Sequence, residues 1–149
     1  MNSKPASVTL GTSMADAAEL LSHLHENDLA VVDGDGGFIG ILAEGDLLRH
    51  ALPKFEQVVA NAVSVAEAFE MFLASGRHLA DQPIDRAVIR NPILIGPDDE
   101  LLKAAAVMIS KNIRTLAVVE NDKLVGMISR SDVALGVFGR ATQQNTLNC

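Results

Sequence analysis

Gly126-Met-Ile-Ser-Arg-Ser-Asp132 is matched 86 residues earlier by Gly40-Ile-Leu-Ala-Glu-Gly-Asp46. Each segment begins with a glycine and two apolar residues and ends with an aspartate six residues after the glycine. A second pair of matching segments precedes them in the same order, Leu29-Ala-Val-Val32 and Leu116-Ala-Val-Val119. Self-similarity at a nearly constant offset indicates a repeated structural unit. The chain of 149 residues therefore contains one unit twice.

The residues around these segments predict the same secondary structure in each copy. A short apolar stretch, Ser7–Leu10 or Pro92–Ile95, predicts a first strand. A capping signal and a helix follow, with Ser13-x-x-Asp16 in the first copy and Asp98 in the second. Two β-rich runs joined by hairpin turns come next, and a last helix begins near Asp46 or Asp132. The order is thus strand, helix, strand, strand, helix.

A unit of this kind has a small sheet whose apolar face is too exposed to be stable alone, so we expect the two copies to pack against each other with pseudo-twofold symmetry. The predicted fold class is α/β (α+β), with two β-α-β-β-α repeats. We assign residues 7–51 to the first repeat, 52–85 to a helical connector, 86–140 to the second repeat and 141–149 to a disordered tail.

The connector should contain a helix of its own. Ser64-x-x-Glu67 is a capping box, and Gly76 is a natural stop. Its apolar residues share one face at helical spacing: Val65, Ala68, Phe69, Phe72 and Leu73. That face could cover the module or contact a second subunit, and we favour covering the core.

Composition excludes several function classes. The net charge of -7, without a basic cluster, argues against wrapping nucleic acid. The chain has neither a signal-peptide core nor an apolar run long enough to span a membrane, so we expect a cytoplasmic protein. The single cysteine, Cys149, cannot form an internal disulfide and gives no support for a metal site.

With both segments in the correct order, the chain resembles tandem cystathionine-β-synthase (CBS) domains, a pair often called a Bateman module. The family's Gly-apolar-apolar-Ser/Thr-x-x-Asp ending is fully met by the second copy, whereas the first has Ala43 in place of the hydroxyl. Both copies also carry alanine, Ala30 and Ala117, where the family usually has proline. The resemblance implies a regulatory module that binds AMP, ADP, ATP, S-adenosylmethionine or a related adenosine ligand for a partner protein. No effector domain accompanies the pair, so the chain resembles a stand-alone sensor.

Ser129 and Asp132 are the best candidates for a ligand contact. They stand three residues apart where a strand leads into a helix, and a carboxylate can accept hydrogen bonds from two adjacent ribose hydroxyls. Free N–H groups at the helix N-terminus would favour phosphate. Ser-x-x-Asp is also an ordinary helix cap, but the repeat context favours the ligand interpretation. Asp46 is the matching aspartate of a first pocket.

Phosphate and adenine require further contacts. Arg114 and Arg130 are the candidate phosphate ligands, although either could be an ordinary surface arginine. Ile93 and the start of the Thr115-Leu116 strand are candidates for contact with adenine, with core packing as the alternative. Because Glu44 replaces Arg130 in the first copy, we expect the pocket of Ser129 and Asp132 to bind nucleotide more tightly.

No nucleophile, base and orienting residue can be assembled from the sequence, and no metal-ligand pattern is present, so we expect no enzymatic activity. The alternative function is a structural dimerisation or protein-interaction module with pockets that have lost their ligand. In either case we expect a homodimer, because apolar residues of the final helices need cover: Leu47, Leu48, Val133 and Leu135.

Overall fold

The computed structural model describes residues 1–52, 54–60 and 64–139. In the first repeat the elements are β1 (Ser7–Thr9), α1 (Met14–Leu24), β2 (Asp28–Val32), β3 (Phe38–Ala43) and α2 (Glu44–Ala51). Ser13 is the N-cap of α1, and its side chain accepts a hydrogen bond from the Asp16 N–H at 3.1 Å. The predicted order of elements is confirmed for this repeat.

After the connector, the second repeat has the same order. Its elements are β4 (Leu94–Ile95), α5 (Leu101–Ser110), β5 (Thr115–Glu120), β6 (Lys123–Ser129) and α6 (Arg130–Phe138). The prediction that Asp98 caps the first helix of this repeat is wrong. Glu100 is the N-cap of α5 without a side-chain bond, and the neighbouring Asp99 instead accepts from the Gly96 N–H at 2.6 Å, which fixes the preceding turn.

Each repeat forms a three-stranded mixed sheet. β1 is parallel and β3 antiparallel to the central strand β2, and β4 and β6 flank β5 in the same way. Leu29 and Val31 of β2 pack against α1, and Leu116 and Val118 of β5 pack against α5. The predicted fold class, two β-α-β-β-α repeats, is therefore confirmed.

The repeats join through a third apolar cluster, two short strand crossings and a bridge between the hairpin turns at Gly37 and Lys123. The cluster contains Ala30 and Ile41 of the first repeat and Ala117 and Met127 of the second. The two alanines stand where the family usually has proline, and both are buried in this interface. The segment before each first strand then pairs with the last strand of the other repeat: Ile89 with Ile41, and Asn2 with Met127. These crossings are related by the pseudo-twofold symmetry of the module.

The connector contains α3 (Phe55–Ala60), α4 (Val65–Leu79) and a 3-10 turn at Ile84–Arg86. The predicted capping box of Ser64 and Glu67 is present, with both hydrogen bonds made. Gly76 does not end the helix, which continues to Leu79. A glycine inside a helix costs only about 1 kcal/mol, and the basic residues Arg77 and His78 favour the C-terminal turn in which they lie, so the helix extends past it.

The apolar face of α4 does not cover the core. No residue of α4 is buried, and Val65 and Phe69 remain 90% and 57% exposed. The helix packs mainly against α2, and its last residue, Leu79, reaches the core of the first repeat, because both sheets already have their apolar faces covered by the helices of their own repeats. The expectation that this face covers the core is therefore wrong.

The final helices turn only part of their predicted apolar surface outward. Val133 is buried in the core of the second repeat, and Leu47 packs against the core of the first, so neither needs cover from a second subunit. Leu48 and Leu135 do face outward and are 54% and 71% exposed.

In the part of the chain that the structure describes, every helix is too short or too polar to cross a membrane. The tail assigned to 141–149 lies outside the described residues.

Candidate ligand-binding site

Two pockets open in the cleft between the repeats. The larger has a volume of about 680 Å³ and is lined by residues of both repeats, among them Asp28, Glu44, Asp46, Ile93, Arg114 and Thr115. The smaller has about 190 Å³ and is lined by Asn2, Asp28, Thr115, Ser129 and Asp132, among others. Small-molecule sites usually enclose roughly 300–1,000 Å³, so of these two pockets the larger has the volume of such a site.

Each pocket lies where a third strand leads directly into a final helix. β3 ends at Ala43 and α2 begins at Glu44, and β6 ends at Ser129 and α6 begins at Arg130. Strand and helix meet without a loop, so the first turn of each helix is fixed at the mouth of the cleft. The aspartate in that turn is therefore held in a defined position in both repeats.

Ser129 and Asp132 are fully engaged with each other. Asp132 Oδ2 accepts hydrogen bonds from the Ser129 N–H at 2.8 Å and from the Ser129 hydroxyl at 3.0 Å. Ser129 Oγ in turn accepts from the Asp132 N–H at 3.2 Å, which completes a capping box. The other carboxylate oxygen, Asp132 Oδ1, lies 3.9 Å from the Met1 amino group. The helix-capping interpretation of this pair is thus realised in the structure.

Asp46 has a different environment because Ala43 cannot cap the helix. Ala43 is the N-cap of α2 and makes no side-chain bond. Asp46 Oδ1 accepts from the Arg49 guanidinium, whereas Oδ2 is buried and has no hydrogen-bond partner among the described residues. A buried acceptor without a donor costs about 1–3 kcal/mol. A ligand hydroxyl in the larger pocket could supply that donor.

The charged groups of the larger pocket form two ion pairs and leave one further carboxylate. Arg49 pairs with Asp46, and Arg114 lies 3.3 Å from Glu44. Asp28 is the additional carboxylate, and it lines both pockets. Burial raises the pKa of Asp28, although the Thr115 hydroxyl and Arg114 partly offset this rise. A charged group with a pKa raised by burial in a cleft is typical of functional sites.

The structure separates the predicted site residues into three groups. Asp46, Ile93, Arg114 and Thr115 lie together in the larger pocket. Ser129 and Asp132, with Thr115 again, line the smaller one. The remaining two residues, Arg130 and Leu116, line neither.

Arg130 and Leu116 have structural roles. The Arg130 guanidinium donates to the carbonyl oxygens of Ile113 at 2.9 Å and Met108 at 3.3 Å, and to Asn112 Oδ1 at 3.0 Å. It therefore ties the end of α5 to the start of α6 instead of facing the cleft. Leu116 is buried in the core of the second repeat, as the packing alternative expected.

Asp28 was missed in the sequence as a site residue. Its signal is a charged residue that opens an otherwise apolar strand, Asp28-Leu-Ala-Val-Val32, at the position that Thr115 holds in the second repeat. Among the described residues, no three His, Cys, Asp or Glu side chains are grouped closely enough to hold a metal ion.

Comparison with known proteins supports the repeat assignment. The CBS domain family model matches residues 1–53 and 84–138. The protein MJ1426 of Methanocaldococcus jannaschii is 23% identical over 141 residues, which cover 87% of this chain and 84% of that protein.

Solved structures show the same fold. The crystal structure of CBSX2 in complex with AMP has a TM-score of 0.69 and 21% identity, covering 92% of this chain and 91% of CBSX2. The CBS-domain containing protein ATU1752 of Agrobacterium tumefaciens has a TM-score of 0.63 and 24% identity, with 88% and 87% covered. At these identities the likeness concerns the fold alone.

Proposed function

Since the chain belongs to the CBS-domain family, as a tandem pair of repeats, we propose that it is a regulatory module that binds an adenosyl ligand in the larger pocket. AMP, ADP, ATP and S-adenosylmethionine are the candidates, and CBSX2, which has the same fold, was crystallised with AMP. The observation that carries the proposal is Asp46, which lines a cleft of about 680 Å³ and whose buried Oδ2 has no hydrogen-bond donor among the described residues. A separate effector protein would respond to the bound state.

The chemistry of the pocket suits a nucleoside. The two hydroxyls of a ribose can donate to a carboxylate, and Asp46 offers one free oxygen at the start of α2. An apolar wall against which a purine ring can pack is formed by Ile41, Ile93 and Ile113. Arg114 lies at the same pocket and can reach the ligand if it leaves Glu44.

We propose that the ligand is bound without being converted. The described residues that line the larger pocket include no serine, cysteine, histidine or lysine, and the hydroxyl of Thr115, which interacts with Asp28, has no histidine or lysine among them to act as its base. Incubation with ATP should therefore leave the nucleotide intact. ATP hydrolysis that persists through rigorous purification and disappears in Asp46→Ala would contradict this part of the proposal.

Calorimetry with the four candidate ligands tests the site. Asp46→Ala should abolish binding, whereas Asp132→Ala should leave the dominant site in place, because Asp132 lines a pocket of only about 190 Å³. Inequality of the two pockets is expected from the sequence, but the cavity volumes favour the opposite order. Loss of binding in Asp132→Ala with no effect of Asp46→Ala would move the site to the smaller pocket.

The exposed apolar helices favour a second candidate, a structural dimerisation module. Leu102, Ile109, Leu135 and Phe138 of α5 and α6 are all more than two thirds exposed. Exposed apolar patches of this kind mark protein interfaces. A stable homodimer that binds none of the four adenosyl compounds would favour this alternative over the sensor.

A further inference from the structure

The cations at the larger pocket are already neutralised. Arg49 and Arg114 are the two basic residues that line it, and each is paired with a carboxylate, Asp46 and Glu44 respectively. Asp28 adds a third carboxylate, and the cation that acts on it, Arg114, is the one already paired with Glu44. With all three carboxylates ionised, the pocket carries more negative than positive charge.

The start of α2 does not compensate for this shortage. A helix N-terminus usually attracts anions, because its free N–H groups carry partial positive charge. Here Glu44 and Asp46 lie in the first turn of α2 and offset that charge, and Ala43 supplies no hydroxyl. The position that would hold a phosphate is therefore flanked by carboxylates.

The carboxylates of the pocket lack hydrogen-bond donors, not hydrogen-bond acceptors. Asp46 Oδ2 lacks a donor, and the pKa of Asp28 is raised chiefly by burial, so both carboxylates would gain from a ligand that donates hydrogen bonds or carries positive charge. A phosphate brings only acceptors and negative charge. While the arginines stay paired, its desolvation beside these groups would be compensated by neutral donors such as Asn27, Asn91, Asn112 and Thr115 and by no free cation among the described lining residues.

Arg114 is the group that could change this balance. Its pair with Glu44 is largely exposed, and exposed ion pairs are weak enough to be broken by a ligand. A phosphate that captured Arg114 would, however, leave the Glu44 carboxylate unpaired beside it. Glu44 therefore opposes a phosphorylated ligand whether or not the ion pair opens.

We propose that the larger pocket selects adenosyl ligands without phosphate, binding a neutral or positively charged nucleoside-type ligand in preference to AMP, ADP or ATP. This selectivity rests on the proposed function, since it concerns the same site. S-Adenosylmethionine and adenosine meet the requirement, and they differ in whether the ligand adds positive charge.

Calorimetry with adenosine, S-adenosylmethionine, AMP and ATP tests the selectivity on the full chain. We expect adenosine to bind about tenfold or more tightly than AMP, because like charges at short range oppose association. Raising the ionic strength should strengthen AMP binding by screening that repulsion and should weaken binding of the cationic ligand. Adenosine, which has no charge, should bind with the same affinity at both salt concentrations.

The variant Glu44→Gln should reduce or abolish the preference for adenosine over AMP. It frees Arg114 and removes one carboxylate, so the ratio of AMP affinity to adenosine affinity should rise about tenfold. Glu70→Gln, on the exposed surface of α4, is the matched control and should keep the wild-type ratio. The salt series on the wild-type chain gives an independent answer if Glu44→Gln does not fold.

Three outcomes separate this inference from the proposed function. AMP binding as tightly as adenosine, weakened by salt, overturns the selectivity and leaves the sensor function standing. An affinity ratio that Glu44→Gln does not change overturns the role of Glu44. Absence of binding by all four compounds contradicts the proposed function itself, and the selectivity with it.

Discussion

Asp28 and Thr115 hold the same position in the two repeats, and the Thr115 hydroxyl lies close enough to the Asp28 carboxyl to offset part of the rise in its pKa. Each is the first residue of a central strand, paired with the last residue of the third strand, Ala43 or Ser129. The pseudo-twofold axis therefore passes between them. Both residues line both pockets. A ligand that contacts either residue from one pocket therefore changes the wall of the other pocket.

Replacing Asp28 by asparagine should raise the stability of the unliganded protein at neutral pH. Burial makes the pKa of Asp28 higher in the folded chain than in the unfolded chain, so the folded state binds its proton more readily. Stability linked to this group therefore falls as the pH rises through and above about 4, where a free aspartate titrates. Asparagine does not titrate and escapes this loss.

Thermal unfolding at two pH values checks the prediction. Asp28→Asn should gain a few degrees in Tm at pH 7, and the gain should vanish below about pH 4. Asp81→Asn, in the exposed turn after α4, is the control and should show no such difference. A variant that is less stable than wild type at pH 7 would show that the bond to Thr115 outweighs desolvation.

Gly40 should tolerate alanine worse than its counterpart Gly126. A Cβ at Gly40 would overlap the backbone carbonyl oxygen of Ile89, which is fixed by the strand crossing. At Gly126 the nearest atom is the flexible Met1 side chain at 2.7 Å, with the Asn2 carbonyl at 2.9 Å. Gly40→Ala should lose about 1–3 kcal/mol of unfolding free energy.

Chemical denaturation measures this difference. Gly126→Ala should lose less than Gly40→Ala, and Gly34→Ala, where an added Cβ meets nothing within 4 Å, should stay near wild type. Equal losses at Gly40 and Gly34 would mean that the crossing at Ile89 does not constrain the glycine.

Arg130→Ala should reduce stability without reducing ligand affinity. The guanidinium makes three hydrogen bonds within the second repeat and lines neither pocket. Its partly exposed position limits the loss to about 1 kcal/mol. Arg114→Ala should leave stability nearly unchanged, because the Arg114 side chain forms a largely exposed ion pair with Glu44, and it should weaken binding of AMP, whose phosphate Arg114 could contact from the larger pocket. Calorimetry and denaturation of both variants decide the matter; weaker binding by a fully stable Arg130→Ala would restore its role as a ligand contact.

The chain should form a homodimer through its final helices. Leu135→Glu places a charge on the exposed apolar surface of α6 and should convert the dimer to monomer in sedimentation at micromolar concentration. Val65→Glu is the matched variant on the apolar face of α4, the other candidate surface. Dissociation by Val65→Glu alone would place the interface on α4, and a wild-type monomer would contradict the dimer.

The fold could be predicted from the repeated sequence because the signals for its strands, turns and helix starts each involve residues that are close together in the chain. Hydrophobic alternation and the hairpin turns identify the strands, and Ser13 and Ser64 identify two helix starts through capping, which involves residues only three apart. The apolar face of α4 was wrongly expected to cover the core, because that expectation depends on contacts between residues far apart in the chain. An amphipathic pattern tells which residues seek cover, but not whether the core has room left for them.

The sequence predicted the types of the candidate site residues but not how they are grouped, because the grouping depends on geometry across the cleft. Ser129 and Asp132 have the right types and spacing, but their mutual hydrogen bonds complete a helix cap. Ala43 weakens the first motif in the sequence, yet its missing hydroxyl is what leaves Asp46 Oδ2 without a donor. The volumes of about 680 and 190 Å³ arise from the packing of both repeats and have no signature in either one.

The two strand crossings also govern how the chain folds. Asn2 pairs with Met127 across almost the whole described length of the chain, and Ile89 pairs with Ile41 across the connector. Loops of this length must close before the pairs form, so folding should be slower than local helix and hairpin formation allows. Each repeat alone would leave the edge of its last strand unpaired and open to aggregation. We therefore expect the two repeats to fold as a single cooperative unit, and we expect an isolated repeat to be less stable than the same repeat within the pair.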